Sequence, residues 1–321
     1  MARVIAISLN PALDLSIQLD AVRPGEVNRS ESSRMDAAGK GNNVARVLRA
    51  LGHDVLVTGF LGEDNQGAFE RAFAAWGVED AFVRVPGETR VNVKLSEADG
   101  RVTDINGPGA QVGETYLAAL EAVLADHAGR ASAVVMAGSL PPGVSPERFE
   151  QLVRFIGTLE VPVWLDTSGA ALKAGFAAVP FAVKPNDVEL GEWLGAPVNG
   201  REAVVEAARR LNETGIHNVF VSLGGDGMVL STPAGVWSAR PPAVEVVSTV
   251  CAGDTLVAAA LHGELMQWPV EETLRFATAL SADAVRHVGV GDIHATDLET
   301  LKTQCVLQQL TDGRPAGEWR V

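Results

Sequence analysis

The sequence predicts an α/β fold, with a mainly parallel central sheet layered between helices and a small second sheet set into it. Three observations carry this expectation. Short, β-rich apolar runs alternate with segments that bear a helical apolar stripe, the rhythm of strand–helix–strand units. Two other segments alternate apolar and polar residues one by one, as half-exposed strands do. A segment near the C-terminus is apolar almost all round, which suits only a buried helix. The chain has 321 residues, 47% of them hydrophobic and 21% charged, ample for a full core.

In chain order, residues 4–7 read as a buried strand, and Ala12–Leu19 (ALDLSIQL) as a half-exposed, antiparallel one. Val44, Val47, Leu48 and Leu51 recur at i, i+3, i+4 and i+7, a helix that Gly52 stops. Residues 55–60 form the next buried run, and residues 90–95 (RVNVKL) the second alternating one, which joins 102–105 in the small sheet. Buried runs follow at 133–137, 161–165, 181–183 and 219–223, with a helical stripe of Val204, Ala207, Ala208 and Leu211 ending at Gly215. The chain reads as one domain over 1–321, with a lid formed by about 11–35 and 88–107. Ligands of such a sheet gather at the carboxyl ends of its strands.

Charge and cysteine content narrow the function. A formal net charge of -14 argues against nucleic acid and anionic membranes as partners. An anionic substrate must then be met by a few placed cations. The two cysteines, Cys251 and Cys305, give neither a disulfide framework nor metal-ligand spacing. The N-terminus lacks a signal-peptide layout and no run is long enough to span a membrane, so a cytoplasmic protein is expected.

The chemistry concentrates where Thr249-Val250-Cys251-Ala252-Gly253-Asp254-Thr255 runs into the all-round apolar helix. The unpaired N–H groups and the dipole of that first turn favour an anion. Asp254 there is either a helix cap or a base that takes a proton from an attacking hydroxyl. Ala38-Gly39-Lys40-Gly41-Asn42-Asn43 opens a helix expected to begin near Asn43, and its glycines would let backbone approach a ligand beside the lysine. It has neither the Walker A spacing nor the third glycine of a dinucleotide fingerprint. Ser222-Leu223-Gly224-Gly225-Asp226-Gly227 could cradle phosphates, and by itself reads as a tight hairpin into Met228. Lys184-Pro185-Asn186-Asp187-Val188-Glu189 ends a strand and puts Asn186 and Glu189 on one helical face, a spacing suited to water around Mg²⁺.

Together, and in this order, these segments resemble the ribokinase-like (PfkB-type) carbohydrate kinases over nearly the whole chain. The resemblance also runs through Leu9-Asn10-Pro11-Ala12-Leu13-Asp14, Gly25-Glu26-Val27-Asn28, Gly59-Phe60-Leu61-Gly62, Thr89-Arg90-Val91-Asn92-Val93-Lys94 and Gly138-Ser139-Leu140-Pro141. It implies a three-layer α/β/α domain with a β-sheet lid, and transfer of the ATP γ-phosphoryl group to a phosphorylated ketohexose. It implies Asp254 as the base, with the amides of Cys251, Ala252 and Gly253 as the anion hole. Asp14, Gly39 and Asn43 would hold the sugar, while Lys40 and Arg90, with Ser139 nearby, would clamp its phosphate. Lys184, Asn186, Ser222, Gly224, Gly225 and Gly227 would line the ATP side, with Glu189 organising Mg²⁺ through water. Among the acceptors, the Lys40 loop and the residues after Arg90 lean towards fructose 1-phosphate over tagatose 6-phosphate and fructose 6-phosphate. Relatives often pair lid to lid, so a homodimer is expected. One departure stands out: the family usually has glycine where this chain has Cys251, and an ordinary backbone conformation is expected there, since positive φ would strain a cysteine.

Overall fold

The computed structural model describes residues 1–310. From the N-terminus, β1 (Arg3–Ser8), β2 (Ala12–Leu19) and β3 (Ser32–Ala38) precede α1 (Lys40–Ala50) and β4 (Asp54–Gly62). Then come α2 (Gly67–Trp76), β5 (Glu79–Asp80), β6 (Val83–Val85), β7 (Val91–Glu97), β8 (Val102–Ile105) and α3 (Glu114–Ala128). The middle of the chain holds β9 (Ala133–Ala137), α4 (Pro146–Gly157), β10 (Val163–Asp166), α5 (Gly169–Ala177), β11 (Ala182–Val183), α6 (Asp187–Leu194) and α7 (Arg201–Glu213). The last part holds β12 (Asn218–Ser222), β13 (Met228–Thr232), β14 (Gly235–Arg240), α8 (Ala252–Leu265), α9 (Val270–Ala284), α10 (Leu298–Gln304) and β15 (Val306–Leu310).

The main sheet has the order β15-β14-β13-β12-β11-β10-β9-β1-β4-β5, with β6 also on β4. It is parallel from β12 to β5 and antiparallel at β13, β14 and β15. Strand alternation sorts the core into two layers. Val4 and Ala6 of β1 join α1, α2, α8 and α9 on one face. Ile5 and Ile7 join α3, α4, α5 and α7 on the other. Because successive side chains of a strand point to opposite faces, a run apolar at every position demands this double cover. In α8, every residue from Asp254 to Gly263 is buried, which is why its sequence is apolar all round. At Gly263 an added β-carbon would strike Thr273 of α9, so the glycine sets how closely the two helices pack.

A separate four-stranded sheet has the order β3-β2-β7-β8. The two alternating segments do pair within it, but β2 and β7 run parallel, from Leu13↔Val91 to Leu19↔Glu97. The expectation of antiparallel strands fails at this pair and holds for β2–β3 and β7–β8. Period-two alternation reports that one face is exposed and carries no information on strand direction. The edge strand β3 reaches Ala38 and thereby delivers the chain directly to Gly39 and α1.

Candidate active site

Two helix N-termini meet at the carboxyl edge of the main sheet. α1 begins at Lys40, three residues earlier than the apolar stripe suggests, so Gly41 and Asn42 lie inside its first turn. The reason is steric: Gly41 sits against Ile7 O of β1, where any β-carbon would collide, and Asn42 N donates to Ser8 Oγ at 3.2 Å. The cap is Gly39 at φ 120°, a conformation open to glycine. α8 begins at Ala252, with Asp254 in its first turn and 5% exposed.

The structure brings Asn43 of α1 onto this carboxylate: Asn43 Nδ2 donates to Asp254 Oδ2 at 2.7 Å. The same Nδ2 lies 3.4 Å from Cys251 Sγ. Burial, then the negative charge of Asp166, push the Asp254 pKa up to about 6, against the pull of Lys40, Asn43 and Lys184. Its position suits a base: ionised at neutral pH, yet more basic than an exposed aspartate. A simple cap would spend its oxygens on its own helix, whereas the hydrogen bond to the Asp254 carboxylate comes from Asn43 on α1.

Asp166 was not singled out from the sequence, and it is the hub of the charges. It ends β10, is 2% exposed, and lies 3.2 Å from Lys184 Nζ and 3.4 Å from Lys40 Nζ. Burial opposes its ionisation, yet Lys184 and then Lys40 hold its pKa below the usual carboxylate range. Lys184 follows β11, and its N–H donates to Leu165 O at 3.0 Å, which fixes the side chain beside Asp166. Its Nζ lies 3.4 Å from where a β-carbon on Gly253 would stand, so the ammonium overhangs the first turn of α8.

Cys251 corrects the expectation of an ordinary backbone. It is the N-cap of α8 at φ 69°, ψ -6°, the left-handed region. Burial, then Asp254 and Asp14, push its thiol up to about 12, so the helix terminus does not make it a thiolate.

Arg90 stands at the base of the small sheet. Its guanidinium donates to Asn10 O (2.8 Å), Gly107 O (3.0 Å), Pro11 O (3.3 Å) and Ser139 Oγ (3.4 Å). All four acceptors are neutral, and burial lowers its pKa. Lys40 does not share these partners; it reaches Asp166, while its Cβ lies 3.9 Å from where Gly138 would carry a β-carbon, next to Ser139. Asp14 of β2 accepts from Asn92 Nδ2 of β7 at 3.0 Å, and burial raises its pKa. The thiol of Cys251 feels both Asp14 and Lys94, so the polar face of the small sheet looks onto the N-terminus of α8.

On the other side, Asn186 and Glu189 are not two rungs of one helical face. Asn186 caps α6, its Oδ1 accepting from Glu189 N at 2.8 Å, and Glu189 Oε2 accepts from Asn186 N at 2.8 Å. This capping box fixes the Glu189 carboxylate, whose pKa burial raises. Asn186 also bridges to Ser222 at the end of β12. Gly224 to Asp226 form one tight turn between β12 and β13, as the hairpin reading expects, and Gly227 at φ 91° has no room for a β-carbon against Ala239 O. Among the described residues no group of three or more His, Cys, Asp or Glu could hold a metal.

Known proteins match this architecture. The model of the pfkB family of carbohydrate kinases fits residues 8–296. The chain is 44% identical to a 1-phosphofructokinase of Vibrio cholerae over 308 residues, covering 96% of this chain and 97% of that one. It is 42% identical to the 1-phosphofructokinase of Escherichia coli over 306 residues, covering 95% and 98%. The crystal structure of phosphofructokinase-2 from Escherichia coli superposes with a TM-score of 0.87 at 27% identity, covering 94% of this chain and 99% of that one. With a match over most of its length and a ribokinase-like fold, the chain belongs to the pfkB family of carbohydrate kinases.

Proposed function

We propose that this kinase transfers the ATP γ-phosphoryl group to the C6 hydroxyl of fructose 1-phosphate, giving fructose 1,6-bisphosphate. The single observation that carries the chemistry is the Asp254 carboxylate, buried at the N-terminus of α8 with Asn43 on Oδ2. Oδ1 is then left for the sugar hydroxyl, whose proton it accepts as oxygen attacks phosphorus. The amides of Cys251, Ala252 and Gly253 face the charge spread over the transferring group, and Lys184 above Gly253 adds a full positive charge. Arg90, held by neutral acceptors, offers its charge to the phosphate already on the sugar, with Ser139 beside it. Lys40 stands nearer Asp166 and Asp254 and serves the acceptor side between clamp and base.

Asp14, Gly39 and Asn43 line the sugar between the small sheet and α1, and the small sheet acts as a lid over it. Ser222, Gly224, Gly225 and Gly227 shape the ATP side. Glu189, with Asn186, would hold Mg²⁺ through water; the ion would neutralise the nucleotide phosphates there. ATP chemistry and two free cysteines suit the cytoplasm.

The acceptor is chosen on relatedness. The 44% and 42% identical relatives are 1-phosphofructokinases, whereas phosphofructokinase-2 is 27% identical. Comparison of kcat/KM on fructose 1-phosphate, fructose 6-phosphate and tagatose 6-phosphate tests it. We expect the first to be preferred at least about tenfold, a difference of ~1.4 kcal/mol in transition-state binding. Preference for either of the others would reassign the substrate.

The lid also proposes a partner. In register, Met35, Leu15, Val93 and Ile105 form one row across all four strands. Met35 and Ile105 are 51% and 57% exposed, and a homodimer through this face would cover them.

A further inference from the structure

Four non-glycine residues among those described have positive φ: Glu160, Val179, Cys251 and Gln267. Three of them follow a helix C-terminus, after α4, α5 and α8, where left-handed residues commonly end helices. Cys251 alone opens a helix, and it does so beside the proposed base. A left-handed backbone strains a cysteine, whereas glycine adopts it freely. Such strain persists where the surrounding structure gains from it.

The gain is visible in what the side chain touches. With Cys251 left-handed, its Sγ sits 3.4 Å from Asn43 Nδ2, whose other contact is Asp254 Oδ2 at 2.7 Å. The amide has two N–H bonds and both are engaged. Asp254 selects which end of the amide faces it, and the sulfur fixes the tilt of the amide plane. We propose that the Cys251 side chain is a positioning residue for phosphoryl transfer, holding the Asn43 amide where it orients Asp254. The inference rests on Asp254 being the base.

The electrostatic surroundings agree with a neutral sulfur. Asp254 on α8 and Asp14 on β2 face the thiol, with Lys94 on β7 and Arg46 on α1 as the opposing cations, and the thiol remains protonated. A neutral sulfur is a weak acceptor, enough to steer an amide without competing with the carboxylate. Asp254 itself is faced by Asp166 on β10, by Lys40 and Asn43 on α1, and by Lys184 after β11. Asp166, Lys40 and Lys184 do not contact the Cys251 sulfur in the bonds described, so an effect that disappears when Asn43 is removed runs through its amide.

The test is a double-mutant cycle on the full chain with fructose 1-phosphate and ATP, using Cys251→Gly, Cys251→Ser, Asn43→Ala and the Cys251→Gly/Asn43→Ala pair. Cys251→Gly should raise the unfolding midpoint, as backbone strain is lifted, and yet lower kcat about threefold to tenfold, the size of one modest hydrogen bond. With Asn43 less firmly donating to Asp254, the acid limb of kcat should move to higher pH. Cys251→Ser keeps an acceptor and should restore both kcat and the acid limb. In the Asn43→Ala background, Cys251→Gly should cost less than about twofold, because its target is gone. The idea is overturned if Cys251→Gly keeps the parental kcat and acid limb, or if its loss is the same with and without Asn43. Asp254→Asn in the same assay reports on the base by itself: near-normal turnover there would remove the premise, whereas a collapse of turnover leaves the premise standing and the cycle decisive.

Discussion

Asp254→Asn separates catalysis from stability with opposite signs. The amide cannot take a proton, so kcat should fall about 10²- to 10⁴-fold while sugar phosphate still binds with nearly unchanged affinity. Stability should rise. Burial and Asp166 raise the folded pKa of Asp254 to about 6, above its ordinary value of 3.8, so the ionised form costs folding free energy at neutral pH. That cost shrinks as pH falls from 6 towards 3.8 and is absent below; the asparagine removes it at every pH. An increase of order 3 kcal/mol follows, read as a few degrees in thermal midpoint. In the parent enzyme the same pKa sets the pH dependence, with kcat/KM falling tenfold per pH unit below about 6. A profile flat down to pH 4.5 would assign the proton to another group. Asp254 was legible in the sequence because an all-round apolar helix must start at the floor of a site. Its partner Asn43 was legible only as a neighbour of the sugar, since the bond spans 211 residues and only the packing of α1 on α8 creates it. The left-handed backbone of Cys251 was not legible, because a tabulated preference says what strains a residue and not what the strain secures.

At the scale of elements, the charge hub comes from two strand ends and two helix starts. β10 supplies Asp166, the segment after β11 supplies Lys184, α1 supplies Lys40 and α8 supplies Asp254. Asp166→Asn leaves two ammonium groups without their shared carboxylate. Because Lys184 and Lys40 lower the Asp166 pKa, its stabilisation is present at neutral pH and is lost as pH falls through its folded value. The substitution should therefore cost about 3 kcal/mol or more at pH 7, measured by denaturant unfolding. It should also move the acid limb of kcat/KM below pH 6, since Asp166 is the charge that raises Asp254. An acid limb that stays at 6 would show that burial alone sets the base. No sequence pattern marks this hub: Trp164-Leu165-Asp166 reads as the polar end of a buried strand, and its partners arrive from elements that only the strand order makes neighbours. The parallel core of the sheet was legible from its runs apolar at every position. The antiparallel edge of β13, β14 and β15 was not resolved beyond the turn at Gly224 to Gly227, because edge strands show no distinct period.

For the whole molecule the open question is what covers the outer face of the lid. The small sheet turns Asp14, Asn92 and Lys94 towards α8 and the row of Met35, Leu15, Val93 and Ile105 away from it. A four-stranded sheet whose second face leaves Met35 and Ile105 exposed lacks part of the burial that normally stabilises such an element. Pairing of two lids would supply that burial and would hold each polar face steady over its own sugar. The prediction is a dimer at micromolar concentration in sedimentation equilibrium. Met35→Glu together with Ile105→Glu should convert it to monomers, because two carboxylates per subunit would be brought against their copies across a two-fold interface. The main domain, with its own two core layers, should keep its unfolding midpoint within a few degrees. The proposed base on α8 and its neighbours on α1 and β10 are untouched, so kcat with saturating sugar should stay within about threefold, while KM for the sugar phosphate should rise about tenfold as Asp14 and Arg90 lose a fixed lid. A parent protein that sediments as a monomer, or a monomeric variant with the parental KM, would show that each lid orders itself and that its apolar row has another use.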